Sequence, residues 1–223
     1  MAKAGKSGFF VALVLLVVVF PGLIRAEPTI PLTSAEKVWL KTHKSVRVMI
    51  GAWPPFQYVE DGQPKGLAID YVTKILKNLG LEVVPVAILW TDALAGINRF
   101  EKVDLLPTIA RSPEREKMVR ITRDYLSFPS VIVTQTGASF VGSLLDLYSK
   151  NIAVEKDYIT HKRLARDHTL INILPMKTTK EALTAVSSGE ADAYVGNLAV
   201  VTFLIDKLGL DNLKIASQTE YAN

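Results

Sequence analysis

Two hydrophobic periods take turns along this chain, and the alternation limits the folds open to it. Residues 46–50 are a run of Val, Met and Ile broken only by Arg47, the pattern of a strand buried on both faces. Residues 56–59 read as a second short strand, ended by the turn pair Asp61-Gly62. Ile69, Val72, Ile75, Leu76 and Leu79 then recur at a helical spacing, and Gly80 closes that helix. Asp70 is read as the residue that caps it. A strand over 81–86, a helix over 92–100 capped by Thr91 or Asp92, and a strand over 103–106 follow. The second half alternates in the same way. Strands over 130–134, 152–154, 171–174, 193–195 and 213–216 are interleaved with helices over 144–148 and 159–166, one that Thr179 caps and Gly189 ends, and one lined by Leu198, Val201, Ile205 and Leu208. This order predicts α/β layering around largely parallel sheets. Two such units of similar size imply two lobes with a cleft between them, where α/β proteins hold small ligands.

The first 26 residues follow another logic. Lys3 and Lys6 form a positive head, residues 9–20 are an unbroken apolar run, Pro21-Gly22 breaks it, and Ala26 offers a small residue for cleavage. That three-part pattern is a secretory signal peptide, and its apolar core is shorter than the roughly 20 residues a spanning helix needs. The other reading is an uncleaved membrane anchor in which Leu23 and Ile24 lengthen the run. Either way the remainder is expected outside the cytoplasm, in the periplasm. Residues 27–45 read as a linker and an N-terminal helix, started by Thr33 with Glu36 in the first turn.

Charge and composition remove several function classes. Lys3, Lys6 and Arg25 belong to the leader, so the remainder holds 23 of the 26 basic residues against 22 acidic ones, a net charge of +1. Nothing there forms the clustered basic surface of a nucleic-acid binder. With no cysteine, disulfides, thiolate metal sites and thiol nucleophiles are excluded. His43, His161 and His168 lack metal-ligand spacing, and the last two flank a Lys- and Arg-rich helix read as solvated. Neither a Gly-rich phosphate loop nor a nucleophile elbow is present. No metal and no cofactor are expected.

Several segments, taken in order, carry a resemblance. Gly51-Ala52-Trp53-Pro54-Pro55-Phe56-Gln57-Tyr58, then Asp61-Gly62, then Gly66-Leu67-Ala68-Ile69-Asp70 is similar to the opening of the bacterial extracellular solute-binding proteins of family 3. Arg111-Ser112-Pro113-Glu114-Arg115, Thr179 to Leu183, and Ser188-Gly189-Glu190-Ala191-Asp192-Ala193 keep that family's order and spacing. A narrower resemblance, to the Venus-flytrap sensor domains of membrane histidine kinases and diguanylate cyclases, rests on Leu32-Thr33-Ser34-Ala35-Glu36 with Trp39-Leu40, and on Gly196-Asn197-Leu198-Ala199. It implies a two-lobed periplasmic binding protein of type II with a ligand cleft. Lobe one is expected over 46–127 and 198–223, lobe two over 128–197, with hinge crossings near Phe128-Pro129 and Asn197. The family returns to lobe one for a further strand and helix beyond the equivalent of Ala216, so the first lobe is read as truncated here, either in a fragment of a longer receptor, which the narrower resemblance favours, or in a short chain with an incomplete first lobe.

The resemblance also assigns a site. Arg115 sits in the first turn of a helix that Ser112 caps and Pro113 opens, where a guanidinium can grip a ligand carboxylate with two parallel hydrogen bonds. Trp53, stiffened by Pro54-Pro55, and Trp90 are expected as apolar walls. Thr108, Ile109 and Ala110 would offer a hydroxyl and backbone groups, and Asp157 and Tyr158 would open a second-lobe helix whose N–H groups meet the carboxylate. Asn197 stands where amino-acid receptors carry an acidic partner for the ligand ammonium; a neutral amide supplies no counter-charge, which points to a ligand without an ammonium. The expected function is binding of a small polar solute, an amino acid or related carboxylate, for sensing or for uptake with a membrane permease or a fused signalling domain as partner. The rival reading is an exported dehydratase-like enzyme on the same scaffold.

Overall fold

The structure is a computed structural model that describes residues 30–222; the leader expected over 1–26, residues 27–29 and Asn223 lie outside the described residues. Helix α1 (Ser34–Thr42) opens the described part. Thr33 accepts from the Glu36 N–H while the Glu36 carboxylate accepts from the Thr33 N–H, the capping box expected there. Strand β1 (Ser45–Ile50) follows, then the hairpin β2 (Tyr58–Glu60) and β3 (Gln63–Lys65), helix α2 (Leu67–Asn78), strand β4 (Glu82–Ala87), and helices α3 (Trp90–Gly96) and α4 (Pro113–Glu116). β1 and β4 pair in parallel, and Leu105 bridges the other edge of β1. Only that single bridge forms where the apolar run over 103–106 predicts a strand.

The pleat of β1 divides its side chains between two cores. Val46, Val48 and Ile50 pack with Ile69, Val72 and Leu76 of α2, while Met49 packs with Ala93, Ile97 and Val103 on the opposite side. Asp70 does not cap α2. The N-cap is Gly66, and Asp70 lies in the first turn, where a carboxylate complements the helix dipole. Gly66 has φ 124°, and a Cβ there would lie 2.3 Å from the Phe56 carbonyl oxygen, so only glycine lets α2 start against the turn at Phe56.

The second half builds one five-stranded sheet. Its elements are β5 (Pro129–Gln135), β6 (Asn151–Glu155), α5 (Ile159–Asp167), β7 (Asn172–Met176), α6 (Thr179–Ser188), β8 (Ala193–Asn197), α7 (Leu198–Leu208) and β9 (Leu213–Ala222), with strand order β7-β6-β8-β5-β9. β6 lies parallel to β7 and β8, whereas β5 runs antiparallel to β8 and β9. Alternation again separates two faces: Val131, Val133, Ala153 and Tyr194 meet α6 and α7, and Ile132, Ile152, Val154, Ala193 and Val195 meet Leu164 of α5.

Three expectations from sequence change here. Residues 198–223 are expected in lobe one, yet β9 pairs along β5 and belongs to the second sheet. The pattern of 213–216 announces a strand but cannot name its partner, and the open edge of β5 supplies one. Pro129 pairs with Ala222, so the chain is still within this sheet at residue 222 and does not leave it at Asn197. Helix α7 stands between the halves: it buries Val200, Val201 and Leu204 against the second sheet, while Phe203 meets Tyr58 at 5.9 Å and Lys207 pairs with Glu60. Second, Thr178, not Thr179, caps α6. Third, His168 is buried rather than solvated, with its ring 6.2 Å from Tyr148 and 6.3 Å from Tyr221.

Candidate functional site

Side chains at the carboxyl ends of β1, β4, β6 and β8 converge on one cleft, the position that open α/β sheets give to ligands. The walls of the cleft include Trp53, Trp90, Thr108, Ile109, Ala110, Arg115, Tyr158 and Asn197. Eight of the nine residues expected from sequence thus come together. Asp157 does not line the cleft; its contribution is a carbonyl that ties the two halves.

Arg115 holds the centre. Ser112 accepts from the Arg115 N–H at 3.4 Å and Pro113 opens α4, as the local sequence predicts. The side chain is 2% exposed. One terminal nitrogen donates to the Ala110 carbonyl at 2.8 Å and the other to the Asp157 carbonyl at 3.2 Å. The guanidinium lies 5.1 Å from the centre of the Trp90 ring. Its Nε is buried without a partner, and among the described residues no carboxylate pairs with it. Burial pushes its pKa down to about 10. A buried cation held by carbonyls and a ring face has strong unmet demand for an anion.

The aromatic walls come from both halves. Trp53 packs 4.9 Å from Phe56 behind the cis Pro54-Pro55 peptide. From the other half, Tyr158 presents its ring edge-on to Trp53 at 6.3 Å and to Trp90 at 5.6 Å. The indole N–H of Trp90 donates to the Asp157 carbonyl at 3.3 Å. Asp157 adopts φ 62°, a left-handed turn just before α5 begins, and its own N–H donates to His161 Nδ1 at 3.1 Å. Backbone, not carboxylate, is what this residue brings to the border of the site.

Asn197 has a different task from the one its position suggests. Its Oδ1 accepts from the Ala199 N–H at 3.0 Å and the Val200 N–H at 3.3 Å, capping α7. Two backbone donors require the oxygen there, so the amide group left for the cleft is a donor.

Gln57, Glu155, Ile159, Thr160, Tyr194 and Gly196 also line the cleft, beyond the residues expected from sequence. Gln57 Nε2 donates to Thr108 Oγ1 at 2.8 Å, and its Oε1 is buried without a partner. A polar residue wedged between Phe56 and Tyr58 in the run around Pro54-Pro55 is the signal available for it. Glu155 ends β6 and is 2% exposed. Thr179 and Tyr194 both donate to its Oε1, the latter at 2.9 Å. Burial raises its pKa above the usual carboxylate range, against the lowering effect of those hydroxyls. A Cβ at Gly196 would lie 1.8 Å from the Tyr194 hydroxyl, so the glycine makes the room in which that ring reaches Glu155.

Two α/β halves that present a cation, aromatic walls and capped helix starts to a shared cleft define a two-lobed binding protein of the Venus-flytrap type. Residues 46–189 match the bacterial extracellular solute-binding proteins, family 3, and the chain belongs to that family. It is 24% identical over 169 residues to the virulence sensor protein BvgS of Bordetella pertussis, covering 76% of this chain and 14% of that protein. It is 26% identical over 172 residues to the L-cystine-binding protein TcyA of Bacillus subtilis, covering 76% and 63%. The chain therefore spans a small part of the length of its sensor relatives. Among solved structures, a histidine kinase sensor domain with similarity to periplasmic binding proteins superposes with a TM-score of 0.77 at 22% identity, covering 82% of this chain and 80% of that one. The arginine-bound form of truncated ArgBP from T. maritima superposes with a TM-score of 0.75 at 23% identity, covering 83% and 87%. These structures share the fold.

Proposed function

We propose that this chain binds a small polar solute bearing a carboxylate, an amino acid or a related acid, in the cleft between its lobes and outside the cytoplasmic membrane. The observation that carries this reading is Arg115: a 2% exposed guanidinium whose Nε has no partner and whose other hydrogen bonds go to carbonyls. A carboxylate is the group that matches such a planar fork. In this reading Trp53, Trp90 and Tyr158 enclose the apolar part of the solute. Thr108, Ile109 and Ala110 line lobe one, and Asn197 offers its amide N–H groups from lobe two. The Asp157 carbonyl registers closure by accepting from Trp90 and Arg115 at once. The hinge crossing into lobe two falls near Phe128-Pro129, beside the end of β9, where Pro129 pairs with Ala222.

Closure on the solute then serves either signal input or delivery to a membrane permease, with a fused membrane signalling domain as partner in the first case. Similarity to BvgS favours signal input, and similarity to TcyA keeps delivery as the second reading. A dehydratase-like activity is matched by neither of these relatives. Residues 1–26 serve export in either reading. Among the described residues no helix is long and apolar enough to cross a membrane.

The test is thermal unfolding against a panel of amino acids and carboxylates. A bound solute at 100 times its dissociation constant adds about 2.7 kcal/mol, on the order of 5–10 °C for a chain of this size. The expected result is a selective upward shift that Arg115→Ala removes. A shift of equal size in Arg115→Ala would refute the anchor.

A further inference from the structure

We propose that Glu155 is a specificity-determining residue of the cleft, and that it reads a cationic or N–H-bearing group on the solute whose carboxylate sits on Arg115. This rests on the binding reading above and narrows its ligand class to dipolar acids.

The first argument is cost. Glu155 is 2% exposed, lines the cleft and is held by two neutral hydroxyls, those of Thr179 and Tyr194, both on Oε1. A glutamine could accept the same two hydrogen bonds with no charge to bury. A carboxyl in that setting is costly to ionise, and burial does raise its pKa. An amide would hold the same two hydroxyls, so these hydrogen bonds do not require the acid that Glu155 offers to the cleft.

The second argument is complementarity. Arg115 and Glu155 line one cleft, have opposite charge and are both buried, and neither has an ionic partner among the described residues. A solute with a carboxylate at one point and an ammonium or amide N–H at another offsets both burial penalties at once. A plain carboxylate offsets one.

The third argument concerns Asn197. Its oxygen is committed to the Ala199 and Val200 N–H groups, so it cannot accept from an ammonium. The acceptor that such a group needs is supplied by Glu155, at the end of β6 rather than at the head of α7. On this proposal the solute carries an ammonium or N–H group, in place of the ammonium-free solute expected from Asn197 alone.

The experiment uses matched pairs that keep the carboxylate and differ in the ammonium: L-leucine with 4-methylvalerate, L-phenylalanine with 3-phenylpropionate, L-glutamine with glutaramate, and 5-aminovalerate with valerate. Affinity is measured by calorimetry on the wild-type protein, Glu155→Gln and Glu155→Asp. Gln keeps the oxygen that Thr179 and Tyr194 hold, and Asp keeps the charge but withdraws it by one methylene; a cooperative thermal transition verifies each fold. For at least one pair the wild type should prefer the ammonium-bearing member by on the order of tenfold or more. In both variants the ratio of the two affinities should fall towards one, whatever the change in the affinity for either member alone. The wild-type comparison needs no variant, so misfolding of either one leaves the proposal testable. Equal binding of both members, or a preference unchanged by both substitutions, would overturn the role of Glu155 while leaving carboxylate binding intact. Binding of no member would overturn both readings.

Discussion

Asn197 and Glu155 show how one polar side chain can be spent on the fold and another held in reserve. Asn197→Ala removes the oxygen that caps α7 and should destabilise the protein by about 0.5–2 kcal/mol, read as a fall in the denaturant midpoint with an unchanged slope. Glu155 predicts a pH effect of definite sign. Its pKa in the folded state is raised by burial above the ordinary value of 4.5. The folded state therefore holds this proton more tightly than the unfolded chain does. Its favourable contribution is full below the ordinary carboxylate pKa and is lost as pH rises through the raised one. Glu155→Gln carries no such penalty. The variant should unfold at a higher temperature than wild type at pH 8, and the gap should close as pH falls towards 4.5. A gap that stays constant over that range would mean that Glu155 does not titrate between the two states.

At the scale of elements, local signals and close approaches decide where helices begin. The capping box at Thr33, the Ser112-Pro113 start of α4 and the glycine stops at Gly189 and Gly209 are written in adjacent residues, and each forms as read. The start of α2 is not local. Gly66 is required because the Phe56 backbone passes 2.3 Å from where its Cβ would be, and because φ is 124°. Gly66→Ala should cost roughly 2–3 kcal/mol, measured by equilibrium unfolding, with most of the loss in the half that contains α2. Thr179 is similar in kind. Its place beside Thr178 suggests a cap, but Thr178 takes that role and Thr179 turns inward to Glu155.

At the scale of the molecule, the two halves meet along α7 and around Phe56, and again across the cleft. Trp90 and Arg115 donate to one carbonyl, that of Asp157, and Tyr158 sets its edge against Trp53 and Trp90. An open–closed equilibrium that makes and breaks these contacts across the cleft responds to solutes that improve them, and to substitutions that remove them. Tyr158→Ala deletes the aromatic contacts from lobe two without touching the core of either sheet. It should enlarge the radius of gyration in small-angle scattering and weaken solute binding, while the cooperative unfolding transition persists. An unchanged radius would place the control of closure in the hinge strands instead.

Sequence alone determined the alternation of strands and helices, the two-lobed class and most of the cleft wall. Those features depend on hydrophobic period and on motifs such as Trp53-Pro54-Pro55 and Ser112-Pro113-Glu114-Arg115, and both are short-range properties. Only the tertiary structure decided that β9 joins β5, that Asn197 spends its oxygen on α7, that Asp157 offers its carbonyl rather than its carboxylate, and that Glu155 faces the cleft. Each of these depends on which free edge, N–H group or cavity lies opposite a residue once the layers pack. Partners so far apart in the chain leave no periodic trace in it, because strand pairing and burial are settled by neighbours in space.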